Sequence, residues 1–414
     1  MRPRLFVRPL TVTVALAAAV SLLPAAPAQA TLARRIALAH WSSAADFDRG
    51  RSHGLVVEGG ALTLEDPVAR SGGQEYGEWT SPWVSPGFRL TELIPSWQGQ
   101  TPGASSLRFE VRGRTSRQTG SWDTVARWAF TDRAVRRFSG SGQGDDLGRV
   151  SYDTWITGGV SAYQVRVRFL RPADSTARPS LAALDAMASR LPAVASVRTS
   201  AVGGAPNPAL GKVLRVPRYS QMVHSGKYPQ YDGGGQAWCS PTSTTMVLAY
   251  YDALPARSAY AWVQNGYTDP EVAHAARRTY DTNLGGTGNW AFNTAYAGGT
   301  TAQAFVTRLR NLRDAERYIA RGIPLVASIT FGGGQLDGAP ISSTNGHLLV
   351  IVGFRENGDV VVNDPAARSR AGVRRTYDRG QFEDAWLKRY SSGGSLRGSG
   401  GLVYVIRDAA HRLP

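Results

Sequence analysis

The sequence predicts two folds in one chain: an all-β, jelly-roll-like sandwich over residues 31–190, followed by an α+β domain over residues 213–414. Three observations support this division. The first half alternates apolar and polar residues with period two, the second half mixes helical and strand periods, and residues 191–212 are rich in Pro, Gly, Ala and Ser. We therefore expect a linker between two separately folded parts.

Residues 1–30 have the pattern of a secretory signal peptide. Basic residues open the segment, residues 10–23 are apolar, and Ala-Gln-Ala at 28–30 is a small-x-small cleavage site. The apolar run is short for a membrane span of about 20 residues, so cleavage is favoured over an uncleaved anchor. We expect a secreted protein, extracellular or associated with the cell envelope, whose mature chain has no membrane span.

Composition excludes several classes of protein. Hydrophobic residues make up 42% of the chain, too many for a disordered protein, and a single cysteine excludes a disulfide scaffold. The net charge of +16 is spread over both halves, which favours a solvated basic surface over nucleic-acid binding. The cysteine and the scattered histidines give no zinc spacing, so no metal or cofactor is expected.

The first half is predicted as an antiparallel sheet. A Gly59-Gly60 pair suits the two-residue turn of a hairpin, because glycine readily adopts positive φ. Seven of the eleven tryptophans lie in this half, and we interpret most of them as core, with a sugar-stacking surface as the alternative. Strands are predicted at 55–58, 61–64, 107–112 and 163–169, and 180–189 fits either a last strand or a short helix.

The second half is predicted to combine helices with a sheet. The helix signals are a proline in the first turn, Asp-Pro-Glu at 269–271, and a glycine followed by proline at 322–324. Helices are predicted at 240–251, after 269 and at 313–321, and strands at 325–331, 347–354, 359–363 and 402–406.

The single cysteine, Cys239, is the strongest chemical candidate. It directly precedes the helix predicted over 240–251, which has Pro241 in its first turn. The unpaired N–H groups and the positive dipole end of a helix favour a thiolate there. A buried structural thiol is the alternative, but it has no reason to stand before a proline at a helix start. We therefore interpret Cys239 as a nucleophile.

A thiol nucleophile needs a base, and we favour His347. This histidine begins an apolar strand, which would hold its ring rigidly. Without Cys239, a hydrogen-bonded core histidine would be the preferred interpretation. The other histidines of this half are expected elsewhere: His274 on a helix surface, His224 in a loop and His411 in the charged tail.

Asp364 is the candidate that would orient the imidazole. The strands at 347–354 and 359–363 form a predicted hairpin, which returns the chain near residue 365 to the level of His347. A carboxylate there can fix the histidine tautomer. Alone, Asp364-Pro365 would be interpreted as a turn at a strand end. Similarly, Gln221 could donate to an oxyanion, although a loop glutamine alone indicates nothing.

The combination follows the order of the papain-like cysteine peptidases: a glutamine, a cysteine at a helix start, a histidine on a strand and an aspartate one strand later. Residues 213–407 resemble the bacteriocin-processing (double-glycine leader) peptidase family and its secreted stand-alone relatives. The matching motifs are Val216-Pro217 to Gln221, Trp238-Cys239-Ser240-Pro241-Thr242, the turn at 322–326, Gly346-His347 and Asn363-Asp364-Pro365.

The resemblance implies a papain-like α+β fold and assigns four roles: nucleophile Cys239, base His347, orienting carboxylate Asp364 and oxyanion donor Gln221. Ser240 stands where the family usually has glycine, which would alter the approach of the substrate. The chain shows neither the membrane spans nor the phosphate-binding loop of the exporter-fused members. This argues against double-glycine leaders as its substrate.

Three functions are compatible with these observations. The favoured one is a secreted cysteine peptidase acting on a peptide or protein, with a β-sandwich that contacts carbohydrate or the cell envelope. The second is a papain-like thiol amidase or transferase acting on cell-wall peptides. The third is a non-catalytic carbohydrate-binding or adhesion protein, which the complete set of four residues argues against, because decay of an active site usually removes a member.

Overall fold

The computed structural model describes residues 33–414 except 195, 393 and 394. Residues 33–414 form one compact unit. The predicted signal peptide, residues 1–30, lies outside the described residues. In the described part of the chain, no helix has the length and apolar character needed to cross a membrane.

Residues 35–190 form a β-rich region whose strands pair in antiparallel fashion. Hydrogen bonds connect them in the order β2-β6-β13-β8-β9-β10-β11-β12-β7-β14-β4-β3, with β1 on β14 and β5 on β6. The elements are β1 (Arg35–Trp41), α1 (Ala44–Asp48), β2 (Arg51–His53), β3 (Leu55–Glu58), β4 (Ala61–Leu64), β5 (Ala69–Ser71), β6 (Gln74–Thr80), β7 (Leu90–Gln100), β8 (Ser106–Arg114), β9 (Asp123–Trp128), β10 (Phe138–Gly142), β11 (Gly148–Tyr152), β12 (Thr154–Val160), β13 (Ala162–Pro172) and β14 (Ser180–Arg190).

The sheet has two flanks that face each other. One consists of β2, β6, β13, β8 and β9, and the other of β11, β12, β7, β14, β4 and β3. Strand β10 pairs with β9 on one flank and with β11 on the other. Across the interior, the ring of Trp97 on β7 stacks on Phe109 of β8, with centroids 3.8 Å apart. The hydroxyl of Tyr163 on β13 donates to the carbonyl of Ala186 on β14 at 3.4 Å. The core of the region therefore lies between the flanks.

The predicted hairpin is confirmed, because β3 and β4 pair around Gly59 (φ 57°) and Gly60 (φ 82°). The ambiguous segment 180–189 is a strand, β14. The interpretation of the tryptophans as core holds for five of the seven. These are Trp41, Trp79, Trp97, Trp128 and Trp155, each less than 7% exposed.

Arginine side chains cover the remaining two tryptophans of this region. The guanidinium of Arg114 lies 4.4 Å from the ring centroid of Trp83. Those of Arg112 and Arg166 lie 4.5 and 4.3 Å from Trp122. Cation–π contacts thus occupy ring faces that a sugar-stacking surface would need to present.

Residues 213–414 combine helices with a six-stranded antiparallel sheet, in the order β15-β22-β16-β17-β18-β19. The elements are α2 (Cys239–Tyr250), α3 (Pro270–Thr279), α4 (Trp290–Ala297), β15 (Gln303–Arg308), α5 (Leu312–Ala320), β16 (Leu325–Phe331), β17 (Thr344–Phe354), β18 (Val360–Asn363), β19 (Arg374–Tyr377), α6 (Arg379–Leu387), β20 (Tyr390–Ser392), β21 (Ser395–Arg397) and β22 (Leu402–Arg407). The predicted helices and strands all occur here, within one to three residues at each end.

Helix α2 is the centre of this half. Residues 240–248 are all buried, so the helix is enclosed on every side, as expected for a core helix. The hydroxyl of Ser243 donates to the carbonyl of Leu348 at 3.1 Å, which fixes α2 against β17. Helix α3 begins as predicted after Asp269, but this residue has φ 48° and does not cap the helix with its side chain. Its carboxylate instead pairs with Arg370.

The segment 191–212, expected as a linker, is attached along the C-terminal half. The backbone N–H of Val197 donates to Asp384 and that of Ser200 to Glu383, both on α6. Asn207 donates to Glu316 on α5 at 2.8 Å. Separate folding of the two halves remains a prediction. The segment between them is anchored by specific hydrogen bonds rather than lying free in solvent.

The β-rich region packs directly against the C-terminal half through α4. The ring of Phe292 on α4 lies 6.1 Å from Trp97 and 5.3 Å from Trp128. A buried ion cluster adds to this contact: Glu92 on β7 accepts from Arg308 on β15 at 2.9 Å and pairs with Arg389. The contact combines an apolar core with a charge network.

Candidate active site

Cys239 is the first residue of α2 and is partly exposed. Trp238, which precedes it, is fully buried and donates from its indole nitrogen to the carbonyl of Tyr231 at 2.7 Å. Cys239 and Ser240 stand in the first turn, where backbone N–H groups have no acceptor within the helix, and the third residue, Pro241, has no N–H. The thiol therefore lies on a rigid support at the positive end of a helix.

His347 and Asp364 form a buried pair. They are 3% and 1% exposed, and Nε2 of His347 donates to Oδ1 of Asp364 at 2.8 Å. The predicted hairpin brings them together: Phe354 pairs with Val360, and the register leads back toward His347 past residue 363. Cys239 lies close enough to His347 to raise the pKa of the imidazole. Because Nε2 is engaged by Asp364, Nδ1 is the nitrogen left to interact with the thiol.

Tyr377 completes the environment of Asp364. Its hydroxyl donates to Oδ2 at 2.8 Å, and the backbone N–H of Ala366 donates to Oδ1 at 3.0 Å. Sequence reasoning missed Tyr377. It ends the short polar strand β19, and only the pairing of β19 with β18 brings it to the carboxylate. The carboxylate is thus held on both oxygens by donors from strands β17 and β19 and from the turn after β18.

The charges of this pair favour an ionised state. Burial lowers the pKa of His347, but Asp364 and Cys239 outweigh this effect and raise it to about 10. Burial raises the pKa of Asp364. The interactions with His347, Tyr377 and Ala366 lower it by more, so that the net pKa lies below its ordinary value. The imidazole is therefore protonated at neutral pH, next to the thiol.

Gln221 is fixed beside the segment that leads to Cys239. It begins a 3₁₀ turn, is 3% exposed, and its backbone N–H donates to the carbonyl of Pro365 at 2.9 Å. Its side-chain Nε2 donates to the carbonyl of Gln236 at 2.7 Å. An amide nitrogen carries two hydrogens, so one remains free. Gly235 permits this packing, since a Cβ there would lie 2.5 Å from the carbonyl oxygen of Gln221.

Ser240 does not line the approach to the thiol. It is fully buried, and its hydroxyl lies 2.9 Å from that of Tyr404 on β22. Burial raises the pKa of Tyr404 well above its ordinary range, so the tyrosine stays protonated. The side chain of Ser240 points into the sheet. The expectation that it alters the approach of the substrate is therefore wrong.

The hydrogen bonds and aromatic contacts described for the other histidines of this half do not involve Cys239. His274 is 1% exposed and accepts from the indole of Trp262 at 3.3 Å, so the expected surface position is wrong. In the structure it lies on the buried side of the amphipathic helix α3. His224 is also buried and contacts the hydroxyl of Tyr267 at 2.9 Å. Burial lowers the pKa of both histidines to about 4. His411 packs against the far end of α2, beside Tyr250 and Tyr251.

Cys239 lines a cleft of about 550 Å³. Both halves of the chain contribute to its walls, which sequence reasoning did not anticipate. The C-terminal half supplies Gly286, Gly288, Trp290, Ser328, Thr330, Asn345, Gly346 and the segment 397–399. The β-rich region supplies Glu92, Ile156 and the turn between β11 and β12, residues 151–154. No cluster of three or more metal-ligating side chains occurs within the described ranges.

A partly exposed thiol at a helix start, near an imidazole that a buried carboxylate holds, is the arrangement expected of a cysteine-dependent acyl-transfer enzyme. Comparison with protein families gives a more specific similarity. Residues 213–393 match the Peptidase_C39 like family, and residues 37–189 match the Peptidase C39 N-terminal domain. Both halves thus match models of the C39 peptidases, which confirms the resemblance to papain-like cysteine peptidases. No curated protein gave a significant match.

Proposed function

We propose that this protein is a secreted cysteine peptidase that hydrolyses peptide bonds through Cys239, His347 and Asp364, with Gln221 as oxyanion donor. The family matches support a cysteine-type hydrolase. The observation that carries the proposal is the buried His347–Asp364 pair next to Cys239, whose thiol lines an open cleft. A papain-like fold for residues 213–414 is part of the proposal, and secretion rests on the pattern of residues 1–30.

The first half of the reaction forms a thioester. A protonated His347 stabilises the thiolate of Cys239, whose sulfur adds to the carbonyl carbon of the scissile bond. The resulting oxyanion accepts hydrogen bonds from the free Nε2 hydrogen of Gln221 and from the Cys239 N–H at the start of α2. The imidazolium then gives its Nδ1 proton to the departing amine nitrogen as the C–N bond breaks.

The second half of the reaction regenerates the enzyme. His347, now neutral, takes a proton from a water molecule as the water oxygen attacks the thioester carbon. The C–S bond breaks, the acid product leaves, and the thiolate–imidazolium pair is restored. Asp364 holds the ring through Nε2 in both steps, so that Nδ1 keeps facing the sulfur and the substrate. Tyr377 keeps the carboxylate in place.

Alkylation of the single thiol tests the ion pair without knowledge of the substrate. At pH 6 an ordinary thiol, with a pKa near 8.5, is only about 0.3% thiolate. Iodoacetamide should nevertheless label Cys239 rapidly at pH 6, because the neighbouring imidazolium stabilises the thiolate. In His347→Ala the rate at pH 6 should fall about 10²-fold, and in Asp364→Ala it should fall less. Mass spectrometry of the labelled protein measures both rates.

His40→Ala is the matched control for this experiment. His40 donates to buried Asp185 at 2.7 Å within the β-rich region, so the variant also removes one member of a histidine–aspartate pair. Its labelling rate should equal that of the wild type. A Cys239 that is inert at pH 6 in the folded protein, or whose reactivity depends on His274 instead of His347, would contradict the proposed triad.

Substitution of the oxyanion donor gives a second test. Gln221→Ala should lower kcat about 10²–10³-fold, the usual loss for one oxyanion donor, while Cys239 labelling at pH 6 stays rapid. Gln230→Ala removes an exposed glutamine from the same loop and should leave kcat unchanged. Assays of a cleaved peptide with both variants measure the difference. Normal turnover by Gln221→Ala would show that another group stabilises the oxyanion.

A further inference from the structure

The β-rich region forms part of the cleft that contains Cys239. Its contribution is the turn between β11 and β12, in which Tyr152 and Asp153 connect the paired residues Ser151 and Thr154. This inference rests on the proposed function, since it concerns what the cleft binds.

The turn presents its two side chains in a fixed conformation. Tyr152 has φ 55°, in the left-handed region that glycine or asparagine usually occupies, and 42% of it is exposed. Asp153 accepts from the backbone N–H of Trp290 at 3.0 Å and from the hydroxyl of Thr154 at 3.2 Å. The contact with Trp290 joins the turn to the start of α4, in the opposite half of the chain. The turn is therefore a rigid part of the cleft wall.

Asp153 has no cationic partner among the described residues. Both donors to its carboxylate are neutral, and each oxygen keeps a lone pair free. Arg308, the basic residue of the cleft that interacts with it electrostatically, is held by Glu92 at 2.9 Å and by the carbonyl of Gly400 at 3.1 Å. Burial raises the pKa of Asp153 to about 6, and the like charge of Asp281 adds to this shift, so an added cation would stabilise the carboxylate. A carboxylate so placed can accept a cation from the substrate.

We propose that Asp153 is a specificity-determining residue, which selects peptides with a positively charged group in the segment that crosses the β11–β12 turn. The exposed ring of Tyr152 lies beside it and provides a surface for the aliphatic part of a Lys or Arg side chain. The β-rich region thereby takes part in substrate recognition at the cleft, instead of serving only as a separate surface-binding module.

Paired peptide substrates test this assignment on the full-length protein. Fluorogenic peptides are scanned with Lys, Arg or their neutral isosteres at each position around the scissile bond. At one of these positions, Asp153→Asn should lower kcat/KM for the basic peptide about 10–100-fold, because a charged hydrogen bond is lost. The kcat/KM for the neutral peptide should stay unchanged. The loss should appear mainly in KM. Asp174→Asn, which changes an exposed aspartate of the same region, should leave both values unchanged.

The outcomes separate the two levels of the proposal. If no peptide is cleaved in a Cys239-dependent manner, the proposed function fails. If cleavage occurs but Asp153→Asn changes basic and neutral peptides equally, the specificity assignment is overturned. Acetylated and free N-termini distinguish the source of the charge: a preference that disappears on acetylation assigns Asp153 to a terminal amine, and one that persists assigns it to a basic side chain.

Discussion

Replacing Cys239 with alanine is expected to lower the turnover of a cleaved peptide about 10⁵–10⁶-fold, because no other thiol exists in the chain to form the thioester. His347→Ala should lower the turnover by a similar factor. In this variant the thiol has no base, and the leaving amine has no proton donor. The double variant should be about as slow as either single variant, because residues that act as one unit give non-additive losses. Initial rates at saturating substrate measure all three.

The non-additivity distinguishes catalysis from structural damage. If Cys239 and His347 stabilised the fold independently, their losses would multiply in the double variant. Asp364→Asn should reduce turnover by about 10⁴-fold, as expected for a carboxylate that orients the base without touching the substrate. Retained turnover in Cys239→Ala would show that the hydrolysis does not use this thiol.

The second large effect concerns stability. Glu92 is buried at the contact between the two halves, where it accepts hydrogen bonds from Arg308 at 2.9 Å and from Arg389 at 3.1 Å. Glu92→Ala leaves two buried guanidinium groups without a counter-charge, which should lower the free energy of unfolding by about 3–5 kcal/mol. Denaturant unfolding, followed by tryptophan fluorescence, measures this change. Glu58→Ala, which removes an exposed acid paired with Arg178, should cost at most about 1 kcal/mol.

Acidification should reduce the difference between the wild type and Glu92→Ala. Burial raises the pKa of Glu92, but Arg308 and Arg389 outweigh it, and the net pKa lies below its ordinary value of 4.5. A group whose pKa is lowered by folding stabilises the protein above its unfolded-state pKa, and this stabilisation is lost as the pH falls through the folded-state value. An equal difference at neutral and strongly acidic pH would contradict the ion cluster as its source.

Local signals in the sequence were sufficient for several of the elements, whereas others, such as β7, β12 and α4, were not predicted. Strict alternation predicted strands such as β8 and β13, and the two glycines predicted the β3–β4 turn, because these patterns depend only on neighbouring residues. They could not predict that β10 joins two flanks of one sheet, since pairing between strands distant in sequence leaves no local pattern. The buried position of His274 was missed for a similar reason: the other side of α3 is covered by elements from elsewhere in the chain.

The sequence by itself determined which residues are the chemical candidates. One cysteine before a helix start, a histidine at a strand edge and an aspartate after the next strand gave both the candidate triad and the family resemblance. A hairpin and a helix packed on it are enough to bring these three residues together, and the hairpin can be predicted from residues close in sequence. Only the tertiary structure decided what surrounds them. Tyr377 reaches Asp364 through strand pairing, and Asp153 reaches the cleft from the opposite half of the chain, because burial of the apolar contact between α4 and β7 brings those surfaces together.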